Sequence, residues 1–304
     1  MSNTLQPKQT LLRKPEWLKI HLNSGEHYTY VSQVVREHAL HTICASGRCP
    51  NQSECWSRGT ATFMVMGDIC TRACKFCATR SGRPLPLDPN EPEKVAESVA
   101  LMKLKHCVIT SVDRDDLPDL GAAHWAELVK TIRAKNPETT IELLIPDFDG
   151  RTELIDMVID ARPDIIGHNI ETCRRMTPLV RSRATYDTSM QVLAHIASRG
   201  MICKSGMMVG IGETDEEIDE TMADLRRIGC NIFTLGQYLQ PTRAHYPVDR
   251  YVHPDTFDLY REKGLALGFD YVASAPMVRS SYLADKAVGA VKERIKLSEL
   301  GKRK

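Results

Sequence analysis

The sequence predicts an α/β fold, a partial (β/α)6 barrel of the TIM type flanked by an N-terminal and a C-terminal extension. Three observations predict it. From about Ala61 onward, short apolar runs alternate with longer amphipathic stretches, the pattern of repeated strand and helix units around a parallel sheet. Six such units can be counted, and the uniform hand of their crossovers winds six parallel strands into an open or partly closed barrel. No shift in composition cuts that stretch in two, and 42% hydrophobic residues over 304 positions supply its core.

Residues 1–59 form the N-terminal extension, with one helical segment near 30–40, and the barrel occupies 60–270. Its first unit pairs a strand at 62–66 with a helix at 93–103 across a long cysteine-bearing loop. The second pairs 106–111 with 122–134, the third 140–146 with 152–161, and the fourth 164–170 with 189–198. The fifth pairs 201–209 with 215–227 and the sixth 231–237 with 254–266. Each strand is short and rich in Val, Ile or Met, and each helix carries apolar residues at helical spacing. The last two helices open on an acceptor or a proline, Asp215 and Pro254, and Gly229 stands where the fifth needs a C-cap. Residues 271–304 form the C-terminal extension.

Forty Lys and Arg against 39 Asp and Glu give a net charge of +1, so no global field is available to hold nucleic acid or an anionic lipid surface. The longest apolar runs, such as 61–66, stop far short of the roughly twenty residues a bilayer span needs. The N-terminus shows no apolar signal region, and the expectation is a cytoplasmic protein with neither nucleic-acid nor membrane partners. Ten cysteines, six of them from Cys44 to Cys77, point to metal rather than to disulfides in such a chain.

Directly after the first strand comes Cys70-Thr71-Arg72-Ala73-Cys74-Lys75-Phe76-Cys77. Three thiolates on one tight loop can hold three corners of a 4Fe–4S cube and leave the fourth iron open to a small molecule. The alternative is zinc, whose closed structural sites usually take four ligands in two pairs. With Phe76 before its third cysteine, this segment resembles the hallmark of the radical S-adenosylmethionine (SAM) superfamily. The resemblance implies that the open iron chelates SAM's amino and carboxylate groups, and that reduction yields a 5′-deoxyadenosyl radical able to take hydrogen from an unactivated carbon.

A second triad, Cys44, Cys49 and Cys55, lies in the N-terminal extension. Alone, its spacing fits zinc ligands or inert thiols as well as a cluster. Cys49-Pro50-Asn51, then Gly59-Thr60-Ala61-Thr62-Phe63-Met64 and the first triad, resembles the lipoyl synthases, as does Arg279-Ser280-Ser281-Tyr282. By itself that tetrapeptide reads as a turn whose serine caps a final helix. The resemblance runs from about Arg13 to Ala284 and implies two 4Fe–4S clusters. Cys70, Cys74 and Cys77 hold the SAM-binding one; Cys44, Cys49, Cys55 and Ser281 hold an auxiliary one. Serine oxygen is a harder, weaker ligand for iron than thiolate, which suits a cluster that is consumed.

By the same resemblance the chain is a sulfurtransferase. It would insert sulfur from the auxiliary cluster at carbons 6 and 8 of an octanoyl-lysine on a lipoyl carrier domain or the glycine-cleavage H protein. An electron donor such as flavodoxin or ferredoxin and an iron–sulfur carrier follow as partners. Asp113, at the end of the second strand, is the candidate for SAM's amino group, against a solvated acidic turn. Asn169 and Glu171 are candidates for ribose or methionine contacts beside a core His168. Gly210, in the glycine-rich run 206–214, is the candidate for SAM's adenine. Lys204 and Arg175 are cations for SAM's carboxylate or ordinary ion pairs. Cys107, Cys173, Cys203 and Cys230 show no ligand spacing. The segment from Arg13 to Leu18 resembles the family's N-terminal arm. Ala78 and Ala275 depart from the family pattern without touching a proposed ligand. Two other readings stay open: another radical SAM sulfur-inserting enzyme, of methylthiotransferase or biotin-synthase type, and a non-enzymatic iron–sulfur or zinc carrier.

Overall fold

Short apolar strands in a computed structural model form an eight-stranded sheet with seven parallel members. The structure describes residues 12–19, 26–38, 40–58, 60–282, 284 and 287–291; Gly59 and the chain beyond 291 lie outside them. The N-terminal extension contributes α1 (Glu26–Glu37), β1 (His41–Thr42), α2 (Ile43–Ser46) and α3 (Gln52–Ser57). The barrel begins with β2 (Thr62–Val65), a small ribbon of β3 (Ile69–Cys70) and β4 (Arg80–Ser81), and α4 (Glu91–Leu101). It continues through β5 (His106–Ser111), α5 (Ala122–Lys135), β6 (Thr140–Leu144), α6 (Thr152–Asp160), β7 (Ile165–Gly167), α7 (Thr177–Val180) and α8 (Tyr186–Ser198). It ends with β8 (Ile202–Val209), α9 (Asp215–Arg227), β9 (Ile232–Gln237), α10 (Pro254–Leu267) and β10 (Tyr271–Ser274).

The sheet order is β1-β2-β5-β6-β7-β8-β9-β10, so every parallel neighbour is the next strand of the winding, and only β1 runs antiparallel. No pairing between β10 and β1 closes the sheet among the described residues, which makes the barrel partial. The six expected βα units are all present. β10 is a seventh parallel strand, paired with β9, inside the segment assigned to the C-terminal extension.

Local differences have local causes. β2 stops at Val65 because Met66 (φ +66°) turns the chain. β7 is shorter than expected: ladder pairing lapses after Gly167 and returns as a single bridge from Glu171 (φ +69°) to Met207. α4 is displaced two residues toward the N-terminus, with Pro92 in its first turn and Lys103 (φ +50°) beyond its end. The cap of α9 is Thr214 rather than Asp215, in a capping box closed by Glu217.

Side chains alternate across each strand. Ile109, Ile141, Leu143, Ile166 and Phe233 are fully buried in the main core with the helices. Thr62, Thr110, Glu142, Lys204 and Thr234 instead line the barrel interior. That polar inner wall leaves room where an apolar barrel would close on itself.

Candidate active site

The loop bearing the first triad leaves the barrel at the end of β2, and the β3–β4 ribbon ties its two ends together. Cys70 Sγ accepts from the amides of Arg72 and Asp113 at 3.4 and 3.3 Å. Cys74 Sγ lies 3.7 Å from Ser182 Oγ. The Cys77 carbonyl meets His245 Nε2 at 3.0 Å, and Lys75 exchanges backbone bonds with Val180 and Tyr246. The loop is thus fixed from the segments that follow three strands, β5, β7 and β9.

Arg72, inside the triad, is the strongest of these anchors. Its buried guanidinium donates to Asp115 at 2.9 and 3.0 Å and to Asp147 at 2.8 and 2.9 Å, with Asp113 at 3.4 Å. Burial works against its charge, but the hydrogen bonds to Asp115 and Asp147 outweigh it and raise its pKa. The reverse effect holds Asp147 at about 2 despite burial, chiefly through its hydrogen bonds to Arg72.

Cys70, Cys74 and Cys77 line a cavity of about 540 Å³ at the C-terminal mouth of the barrel. Asp113, Asn169 and Glu171 share that lining. Asp113 directs its carboxylate toward Cys70 Sγ, 3.6 Å away, as well as toward Arg72. Asn169 Nδ2 donates to Ser280 Oγ at 2.8 Å. Burial raises the pKa of Glu171, and Arg181 counters it. Gly210 stands apart from the lining: its amide donates to Glu213 Oε1 at 2.6 Å, and a Cβ at its φ of +89° would run into Gln237 and Arg250.

The two cations singled out in the sequence are already paired with carboxylates. Lys204 Nζ is buried 2.5 Å from Glu142 Oε1. Arg175 is exposed and pairs with Glu217 at 2.8 Å. Arg181 also lines the cavity: its Nη1 donates to Ser189 Oγ at 2.7 Å, while its buried Nε has no hydrogen-bond partner among the described residues. His168 is a satisfied interior histidine, bonded to the Ile145 carbonyl and Ser189 Oγ at 2.9 Å each, and burial lowers its pKa to about 4. Cys107, Cys173, Cys203 and Cys230 are buried. The N-terminal arm brings Lys14 to the cavity and packs Trp17 edge-on against His253, ring centroids 5.0 Å apart.

Cys44 sits on α2, capped by Thr42, and Arg48 (φ +50°) turns the chain to Cys49. Cys55 follows on α3. Cys44, Cys49, Cys55 and Ser281 line a second cavity, of about 720 Å³. Cys44, Cys49, Arg279 and Ser281 line both cavities and so stand in the wall between them. The C-terminal segment crosses the barrel mouth over Gly236, where any Cβ would collide with the Val278 carbonyl. Asn51 Nδ2 then holds the Met277 carbonyl at 2.7 Å, and Tyr282 Oη donates to Glu54 at 3.0 Å. Adjacent serines face opposite ways, Ser280 to Asn169 and Ser281 to Thr62, 2.8 Å from Thr62 Oγ1.

All ten cysteines are free. Burial, with Asp113 adding to it, pushes the Cys70 thiol up to about 12. Burial, then Cys44 and Cys49, does the same to Cys55. Thiols packed this way ionise only beside a strong cation, which a coordinated metal provides. Each triad gathers three cysteines on the wall of one cavity without the fourth cysteine of a closed site, which fits iron–sulfur ligation with one position left for another ligand.

Sequence reasoning overlooked Arg72, Arg181, Ser182 and His245. The one available signal was an arginine inside the triad, together with acidic residues at two strand ends.

Residues 64–225 match the profile of the Radical SAM superfamily. The chain is 62% identical to the lipoyl synthase of Bacteroides thetaiotaomicron over 91% of its own length and 98% of that protein. It is 56% identical to the lipoyl synthase of Treponema denticola, covering 91% and 95%. Methylornithine synthase superposes with a TM-score of 0.52 at 10% identity, over 88% of this chain and 86% of that one, a likeness of fold. Superfamily membership implies an enzyme that uses a 4Fe–4S cluster and SAM. A barrel with a three-cysteine loop at its mouth, matched along nine-tenths of its length, belongs to the lipoyl synthase family of the radical SAM superfamily.

Proposed function

We propose that the protein is a sulfurtransferase that inserts two sulfur atoms, at carbons 6 and 8, into an octanoyl chain on a lysine of a lipoyl carrier domain or glycine-cleavage H protein. The observation that carries the reading is the shared wall: Cys44, Cys49 and Ser281 line the cavity of the first triad and, with Cys55, a second one. When bound, a cluster on Cys70, Cys74 and Cys77 supplies the electron that cleaves SAM, and an auxiliary cluster on Cys44, Cys49, Cys55 and Ser281 supplies sulfur. An alkyl carbon has no acidic proton for a base to take, which leaves radical abstraction, and placement decides which carbon reacts.

The chain's own residues do the placing. Arg72 holds the first loop rigid. Asp113, Asn169 and Glu171 surround the position SAM takes, and Arg181, whose Nε has no partner, is the cation for its carboxylate. Gly210 acts on SAM only by shaping the end of β8. Flavodoxin or ferredoxin is the proposed reductant, and an iron–sulfur carrier rebuilds the auxiliary cluster.

The test is an anaerobic assay with dithionite, SAM and an octanoyl-lysine peptide, following 5′-deoxyadenosine and peptide mass together. Wild type yields lipoyl peptide, whereas Cys44→Ala still cleaves SAM and adds no sulfur. SAM cleavage without sulfur on the peptide from either protein overturns the assignment.

A further inference from the structure

We propose that Thr62 is a positioning residue for Ser281, fixing that side chain's oxygen toward the iron which three cysteines leave uncapped. The inference rests on the reading that Cys44, Cys49, Cys55 and Ser281 hold the auxiliary cluster. Thr62 is the first residue of β2, is buried, and is held in register opposite Val108 of β5. Its Oγ1 donates to Ser281 Oγ at 2.8 Å across 219 residues of sequence. Both side chains line both cavities, in the wall that Cys44 and Cys49 also form.

A serine side chain has three staggered positions available, and a fixed donor selects one of them. The donor is itself stiff, because a β-branched residue in a ladder has little freedom at χ1. A hydroxyl bonds more strongly to an oxygen that carries negative charge than to a neutral one. The Thr62 bond therefore tightens when Ser281 Oγ serves as a ligand, and it favours the ligated arrangement. Its neighbour Ser280 cannot substitute, since Asn169 holds it on the other side of the segment.

Without the donor, iron capped by Ser281 comes away faster, by about fivefold, the difference between a neutral and a charge-assisted hydrogen bond. The test uses full-length protein carrying Cys70→Ala, Cys74→Ala and Cys77→Ala, so that only the auxiliary site is loaded, reconstituted anaerobically with iron-57. Mössbauer spectra and the rate of iron transfer to a ferrous chelator are compared for this parent and for Thr62→Val, Thr62→Ser and Ser281→Ala added to it. The expected result is that Thr62→Val shifts the subsite of the unique iron and speeds release about fivefold, while Thr62→Ser restores both. Ser281→Ala releases iron at least as fast as Thr62→Val. Thr62→Ala replaces the valine variant in the same comparison if valine disturbs folding. A parent-like Thr62→Val beside an altered Ser281→Ala overturns the role of Thr62 alone. So does a Thr62→Ser variant as defective as Thr62→Val, since the hydroxyl would then be present without holding Ser281. An unaltered Ser281→Ala overturns the ligand reading itself, and the role of Thr62 with it.

Discussion

Replacing Arg72 by methionine removes the guanidinium that Asp113, Asp115, Asp147 and Asp149 share. Breaking a buried ion pair from one side costs about 3–5 kcal/mol, because the partner is left charged and unpaired. Asp147 is the most exposed to that loss in energetic terms, since its side chain is only 1% solvent-accessible. Its pKa of about 2 against an ordinary 3.8 is worth about 2 kcal/mol of linkage. A depressed carboxyl stabilises the fold fully above its unfolded pKa and loses that contribution as the pH falls through about 2. In Arg72→Met the largest opposition to the burial of Asp147 is gone, with the Asp149 amide at 3.0 Å remaining, so this carboxyl takes up its proton at higher pH than in wild type. The gap in stability between variant and wild type is therefore widest near neutrality and narrows on acidification toward pH of about 4. Urea unfolding of the metal-free proteins across that range measures it. A gap below about 1 kcal/mol, or one of constant size across the range, would refute the reasoning. Arg72→Lys keeps the charge but loses the fork, and falls between the two.

Three further outcomes are expected. Arg181→Gln weakens SAM binding about ten- to a hundredfold in equilibrium dialysis, the worth of a charge-assisted hydrogen bond, and leaves iron content unchanged. Gly236→Ala forces the Val278 carbonyl away from β9; chelator access to the auxiliary site rises while the first triad holds its iron, read from iron release in the wild-type and triad-deleted backgrounds. His168 remains neutral to about 4 in the fold against an ordinary 6.5. The unfolded chain therefore binds a proton that the fold rejects, and wild type loses about 3 kcal/mol as the pH falls from about 6.5 to about 4. His168→Gln lacks that slope, which urea unfolding in stepped buffers detects.

The winding of the fold was legible because β2, β5, β6, β7, β8 and β9 are each rich in apolar residues and bounded by Gly, Pro or polar ones. β10 was not, since among Tyr271, Val272, Ala273 and Ser274 only Val272 is a buried apolar residue. A two-residue strand such as β1 has no period to read at all. The cysteine loops were visible through spacing within a few residues. Arg72 escaped notice because its partners stand 43 and 75 residues away on other strand ends. Lys204 stood out as a cation, but its fate depended on Glu142, 62 residues distant. Spacing reports groups that share a loop, and strand ends meet only once the barrel has wound.

The distance along the chain between Thr62 and Ser281 also sets an order of assembly. Synthesis proceeds from the N-terminus, so both cysteine triads leave the ribosome long before Ser281 does. In the proposed site, iron delivered early meets three thiols, on α2, on α3 and in the turn between them, with their fourth wall missing, open on the side that Met277 to Tyr282 later covers. On the proposed ligand set, that wall closes only after synthesis has passed Tyr282, whereas every cysteine of the first triad is already in place at residue 77.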